Sequence, residues 1–314
     1  MLRFFDARGT KLGSFGRKGE GPAEFRSIGV YRGWNGTVFW QGDILLGRAV
    51  LIDDALKNAG TVSLPAIPPA GAFILPAIVG ILPGGDLLVH ATYRQSPVPP
   101  QWARGITAAR TFVVLRVNAR GDVLRLLGVL PQTADGCVTV VNGRSRPVPE
   151  CAEPYGAASP DGSRYAMVEP YTSGPNNGKY RVILVAAGGD TVFSALIPYT
   201  ARQIGRTEAD SIRRAKVAGV KSDLLAKDYM EMPLPTVFRP VHGALVAAGG
   251  AVWVALRPER DGRRWVRVDR TGKVTGSIVV PHNVTLHVIS SSQAWGVEHD
   301  EDDIPSVVRF RFAG

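Results

Sequence analysis

The chain has little cysteine, lysine or histidine and no long unbroken apolar run, and each shortage excludes something. Only two of its 314 residues are cysteine, Cys137 and Cys151. Two sulfurs do not complete a zinc site, and no histidine stands near them in sequence. The segment between them contains Asn142-Gly143 and Pro147-Val148-Pro149 and reads as a loop. A bridge there closes a loop of about 15 residues, worth about 3 kcal/mol in the chain-entropy treatment. A Cys137–Cys151 disulfide is therefore expected, and with it an oxidising, extracytoplasmic compartment.

The opening residues, Met1-Leu2-Arg3-Phe4-Phe5-Asp6, are not a basic segment followed by an apolar one, so no signal peptide is legible. The stretch from Asn58 to Gly85 carries no charge, but Pro65, Pro68, Pro69, Pro76 and Pro83 interrupt it. Proline at that density breaks a spanning helix, so no transmembrane segment is expected. The stretch reads instead as a loop followed by a buried strand. Of 37 basic residues only 8 are lysine and 29 are arginine, and the net charge is +10. The arginines are scattered, with no block of five or six like charges. No helix-turn-helix or ribonucleoprotein-type motif accompanies them, so nucleic acid is not an expected partner. The charge reads as a solvated basic surface, with a polyanion ligand as the second reading.

The histidines, His90, His242, His282, His287 and His299, are isolated from one another, and no spacing announces a zinc site. The acidic run Glu298 to Asp303 lacks the glycine and ligand spacing of an EF-hand and reads as a solvated hairpin. No G-x-S-x-G elbow is present. No catalytic and no metal-binding residue is nominated.

Glycine and proline, by contrast, are plentiful, at 36 and 23 residues. They punctuate a repeat. An acidic or amide residue ends a strand and a glycine closes the turn in Asp6-Ala7-Arg8-Gly9, Asn118-Ala119-Arg120-Gly121 and Asp269-Arg270-Thr271-Gly272. Asp53-Asp54-Ala55-Leu56 is a degenerate copy without glycine. The side-chain oxygen bonds the backbone two residues on, and glycine supplies positive φ. A second unit, a small turn before an apolar strand, recurs at Gly36, Gly85, Gly162, Gly250 and Ser292. Four strands per unit, repeated, is the pattern of a β-propeller blade. Blades are expected near 26–63, 74–130, 155–197 and 237–280, with three strands at 285–312. Strands near 2–6 and 11–15 read as the outer half of a further blade. The expectation is an all-β, six-bladed β-propeller in one domain, residues 1–314, lacking part of its N-terminal blade. Met1 is then a truncated start. The alternative is a closed ring in which the N-terminal hairpin merges with the final blade.

Gly16-Arg17-Lys18-Gly19-Glu20-Gly21-Pro22-Ala23-Glu24-Phe25 resembles the G-x-x-G-x-G-P-G-E-F signature of bacterial six-bladed propellers related to NHL repeats, with Ala23 in place of the fourth glycine. Ser159-Pro160-Asp161-Gly162 is similar to the S-P-D-G turn of TolB-like propellers. The resemblance implies a periplasmic or lipid-anchored protein; the incomplete N-terminal blade puts the export signal upstream of this chain, and a monomer is expected. From the residues themselves, Phe25 is expected between blades and Glu24 on loop amides. No P-loop is formed, because Pro22 and the missing Lys-Ser/Thr spoil the match.

Three segments fall outside the blades. A helical insertion is expected over 207–229, capped by Thr207 and ended by Pro233 and Pro235. Loop insertions are expected at 92–109 and 131–154. In the first, Pro97, Pro99 and Pro100 favour an extended path; Trp102 is expected to pack the loop down, and the second reading has it beside Arg104 holding a flat or sugar-like ligand. Trp102, Arg104, Arg239 and His242 are the nominated binding residues. The expected function is a non-catalytic exported scaffold for a protein, peptide or glycan, with no cofactor. The alternative is a lactonase- or lyase-like enzyme holding calcium or another divalent metal in its central channel.

Overall fold

The strand Leu87–Arg94 reads Leu-Leu-Val-His-Ala-Thr-Tyr-Arg and is apolar on both faces. Its neighbour across the ladder buries Val113, Val114 and Leu115 in succession. A sheet of such strands is stable only between other sheets. The computed structural model describes residues 1–6, 8–29, 31–69, 71–96, 98–107, 110–131, 137–172 and 174–312. It shows five blades, each an antiparallel meander running outward from its first strand.

The first blade is β5 (Arg32–Asn35), β6 (Val38–Asp43), β7 (Arg48–Ile52) and β8 (Asn58–Ser63). The second is β9 (Phe73–Ile81), β10 (Leu87–Arg94), β11 (Arg110–Val117) and β12 (Val123–Pro131). A hairpin, β13 (Val138–Val141) and β14 (Arg144–Pro147), precedes the third. The third is β15 (Tyr155–Ala158), β16 (Arg164–Tyr171), β17 (Lys179–Ala186) and β18 (Thr191–Pro198). The fourth is β19 (Val241–Val246), β20 (Val252–Glu259), β21 (Gly262–Val268) and β22 (Val274–Val280). The fifth has three strands, β23 (Val284–Ile289), β24 (Gln293–His299) and β25 (Pro305–Arg311). The first strands of successive blades touch one another and form the inner wall.

Five blades replace the six expected. β1 (Leu2–Phe5) and β2 (Lys11–Phe15) pair only with each other among the described residues. Two strands without inner partners make no blade. They also do not extend the fifth sheet, which excludes the merged ring. Phe4 instead seats edge-on against Phe39 of the first blade, with ring centroids 5.7 Å apart. The glycine-rich loop follows, with β3 (Arg17–Lys18) and β4 (Glu24–Phe25) as a short parallel bridge. The Glu24 carboxylate accepts the Gly21 N–H at 2.8 Å, as expected, whereas Phe25 is buried not between two blades but with Phe15, Val50 and Ile52, between the β1–β2 hairpin and the first blade.

Apolar clusters fill the spaces between blades. Trp40, Leu87, Val89 and Tyr93 join the first two blades, and Leu88, Val114, Tyr165 and Met167 the second and third. Val182, Leu184, Val252 and Val254 join the third and fourth, and Trp253, Trp265, Leu286 and Ala294 the fourth and fifth. One polar chain lies within this stack. Tyr31 Oη is 2.7 Å from His90 Nε2, and His90 Nδ1 is 3.3 Å from Tyr165 Oη, linking three blades.

The strand directions sort the connections onto two faces. Turns between first and second and between third and fourth strands of a blade lie on one face and span two to five residues. The opposite face receives the described parts of the connections between β10 and β11, between β12 and β15 and between β18 and β19, so all three insertions share it. Pro97 and residues 108–109 and 132–136 of the expected loops lie outside the described residues; Pro100 is extended, with φ −62° and ψ 160°. The helical insertion is two helices rather than one. α1 (Arg206–Val217) follows Gly205, not a Thr207 cap, and α2 (Asp223–Glu231) follows the cap Ser222. Gly219, at φ +77°, breaks the run between them.

Gly156 marks how tight the inter-blade polar chain is. A methyl group there would overlap the Tyr165 hydroxyl. Gly156→Ala is expected to cost about 1–3 kcal/mol in urea unfolding, and Tyr165→Phe in the same chain to restore part of it. Additive losses in the double variant would contradict this packing.

Candidate functional site

The insertions on the decorated face are tied down by two covalent or charged links. Cys137 and Cys151 form a disulfide with Cα atoms 5.5 Å apart. It closes the segment that carries the β13–β14 hairpin. That hairpin grips α2 through Asp228, which is fully buried. Arg144 donates to both Asp228 oxygens, from Nε at 2.8 Å and Nη2 at 2.5 Å, and Arg146 Nε donates at 2.9 Å. Asn142 Nδ2 adds a bond at 3.1 Å. These donors hold the Asp228 carboxyl far below the usual carboxylate range, with the Arg144 bonds the largest cause. A buried charge needs such partners to be tolerated at all. Arg213 of α1 donates to the Met232 carbonyl at 3.1 Å, joining the two helices.

Between hairpin and helices lies a cleft of about 380 Å³. Its walls include Cys151, Glu150, Ile212, Lys216, Tyr229 and Arg239. Arg239 stands just ahead of β19, at the mouth of the inner wall. Its Nη1 donates to Tyr155 Oη at 3.3 Å. Arg257, at the end of β20, lies over the Phe238 ring at 3.4 Å, and Arg202 lies over the same ring at 5.3 Å. Such cation–π contacts are worth about 0.5–2 kcal/mol each and fix the guanidinium planes. Arg263 opens β21 beside them.

The electrostatics report this convergence. His242 is pushed down to about 4, first by burial and then by the charges of Arg239, Arg263 and Arg257. Arg257 is lowered by burial and by Arg202. Tyr155 is raised by burial and feels Arg239, Glu153, Glu150 and Arg263. Arg239, Arg257 and Arg263 form no ion pair among the described residues, whereas Arg202 pairs with Glu208 at 3.4 Å. Arg239 Nε, Arg263 Nε and His242 Nε2 are buried without a hydrogen-bond partner. An unpaired buried donor costs about 1–3 kcal/mol.

The channel itself offers little to a cation. The five first strands carry Arg32, His242 and His287 but no aspartate or glutamate. No group of three or more His, Cys, Asp or Glu is placed to hold a metal ion among the described residues. At the turn face the wall is drawn together: Pro160, in the S-P-D-G turn of the third blade, accepts the Trp34 N–H of β5 at 2.6 Å.

The structure brings Arg239 and His242 together and places them beside the cleft. Trp102 is stacked on Phe73 at 5.9 Å and edge-on to Tyr93 at 5.1 Å, packing its loop against the second blade. Arg104 is exposed next to it. These two belong to a different blade from the Arg239 cluster. Arg257, Arg263, Tyr155 and Phe238 were not anticipated. All four sit at or beside the decorated ends of strands, so aligning the blades strand by strand would have found them. No helix is long and apolar enough to cross a membrane among the described residues.

The chain matches no protein-family model, and no curated protein matches it. Solved structures are similar to this chain only at low identity and low TM-score. A member of the DUF4221 family from Bacteroides vulgatus superposes with a TM-score of 0.47 at 8% identity, over 99% of this chain and 86% of that one. Virginiamycin B lyase from Staphylococcus aureus gives 0.41 at 11%, over 99% and 87%. A gluconolactonase from Xanthomonas campestris gives 0.31 at 12%, over 83% and 65%. These likenesses carry no activity to this chain, and neither the NHL-related nor the TolB-like resemblance becomes a family assignment.

His90, His242 and His287 are each lowered from 6.5 to about 4, with burial the first cause and Arg32 adding to it at His287. The unfolded chain takes up these protons near pH 6.5, while the folded one does so only near pH 4. Stability is thus complete above that window and falls as pH drops through it. The slope of stability against pH near 5.5 should correspond to about three protons, and His287→Gln should remove about one. Urea unfolding at closely spaced pH values measures it. A flat curve from pH 7 to about 5 would refute the assignment.

Proposed function

We propose that this chain is an exported, non-catalytic binding propeller that takes its ligand on the decorated face. The observation that carries this reading is the sidedness of the molecule. Every long insertion, the disulfide and the Asp228 clamp lie on one face, and the other bears only tight turns. A rigid scaffold displaying loops on one side is the usual arrangement for recognition. The disulfide supports an oxidising compartment. The first strands supply no carboxylate, which favours a binding role over a channel metal and the lyase- or lactonase-type chemistry it would serve.

The test is a binding screen on glycan and peptide arrays with two pairs of variants. Lys216→Glu and Tyr229→Ala alter the decorated face, and Arg120→Glu and Arg270→Glu the turn face. The first pair should abolish any signal and the second leave it intact. Signal that follows the turn-face pair, or a stoichiometric divalent metal in the purified protein by mass spectrometry, would overturn the reading.

A further inference from the structure

The cluster at the start of β19 gathers arginines that form no ion pair among the described residues, although the Glu150 carboxylate, with Oε2 also unpartnered, lines the same cleft. Arg239, Arg257 and Arg263 are half-buried and have no carboxylate within ion-pair distance among the described residues. Three acids lie in the neighbourhood. Glu208 is engaged by Arg202, and Glu150 and Glu153 flank Tyr155 without pairing to any of the three arginines. Half-buried guanidinium groups kept apart from acids are costly unless an anion completes them. Arg257 is already oriented by the Phe238 ring, and Tyr155 holds one end of Arg239. The Nε–H groups of Arg239 and Arg263 are buried with no hydrogen-bond partner, which leaves the terminal nitrogens as the edge a ligand would meet. A guanidinium edge presents parallel N–H groups that match the two oxygens of a carboxylate or phosphate.

We infer that this cluster is an oxyanion site: Arg239 and Arg263, with Arg257 behind them on Phe238, bind a small ligand through its carboxylate or phosphate group. Lys216 on the cleft wall adds a further positive charge for the rest of the ligand. The inference rests on the reading that the decorated face binds ligands and gives that ligand its chemical class. His242 stays neutral beside the arginines at neutral pH, so it accepts or donates a hydrogen bond without adding repulsion.

Isothermal titration at constant ionic strength tests it, with citrate, inorganic phosphate and the uncharged triethyl citrate as probes. Citrate or phosphate should bind with a Kd of about 1 mM or tighter, and triethyl citrate should not bind. Whichever of the two binds more tightly identifies carboxylate or phosphate as the natural group. Arg239→Gln and Arg263→Gln should each weaken binding by at least about tenfold, and Arg239→Lys, which keeps charge but loses the fork, by less. Arg270→Gln on the turn face should bind as the unaltered chain does. Circular dichroism and Tm confirm that each variant is folded, and Arg239→Lys serves if Arg239→Gln is not. Failure of both anions to bind at about 10 mM, or binding unchanged in the Arg239 and Arg263 variants, overturns the inference. A ligand from the arrays that needs Lys216 and Tyr229 but not Arg239 or Arg263 overturns it while leaving the decorated-face reading intact.

Discussion

A blade whose two faces are both apolar cannot leave either face in water. Its stability comes from the neighbours on both sides, and the rest of this molecule follows from that. The buried side chains of the central strands point into spaces shared with the next sheet, so no blade has a core of its own. Interdigitation then limits which residues fit. Gly156 is glycine because the Tyr165 hydroxyl occupies the place of its side chain, and that hydroxyl is where it is because His90 needs a partner between the blades. A buried imidazole with hydroxyls on both nitrogens is satisfied without being charged, which is why burial rather than a neighbouring acid sets its pKa.

The same stacking leaves the two ends of the ring unequal. On the turn face, successive strands are linked with hardly a residue to spare. On the other face the chain passes from blade to blade, and lengthening a connection there costs only a slowly growing loop entropy. Insertions accumulate where they are cheap, but a bare insertion would be mobile. Here the β13–β14 hairpin and α2 each depend on the other through Asp228. The carboxylate is tolerable in the interior only because Arg144, Arg146 and Asn142 surround it, and those three are held in one hairpin closed by the disulfide. The result is a cleft with fixed walls standing on a fixed ring.

Much of the ring was legible in the sequence because its turns need particular residues. Asp6, Asn118 and Asp269 each accept two backbone N–H groups, and Gly9, Gly121 and Gly272 take φ between +82° and +93°. Even the degenerate copy holds: Asp53 accepts the Lys57 N–H, and Leu56 takes the glycine's place at φ +58°. The number of blades was less legible. β1 and β2 have the pattern of outer strands, but a pattern does not supply the inner strands that make a sheet. The split of the helical run was signalled by Gly219 and Ser222, which the expected single helix over 207–229 ran straight through. The binding cluster was half legible. Arg239 and His242 lie three residues apart in sequence, whereas Arg257 and Arg263 reach them only through the β20–β21 hairpin, which no local spacing announces.

The overall charge of +10 acquires a narrower meaning from this placement. Arginines on strand edges and turns are solvated or paired, as Arg116 is with Asp86 at 2.6 Å, and they contribute little beyond solubility. The few that matter are those the fold partly withdraws from water without giving them an acid. Withdrawal also explains the choice of arginine there over lysine. An ammonium group in the same position would lose its proton more readily and offer no planar edge, whereas a guanidinium stays charged and directional. A diffuse positive surface would attract any polyanion and release it as salt rises. A few oriented forks beside a neutral His242 act over a short range, so recognition there depends on the geometry of one anionic group more than on the field of the whole protein.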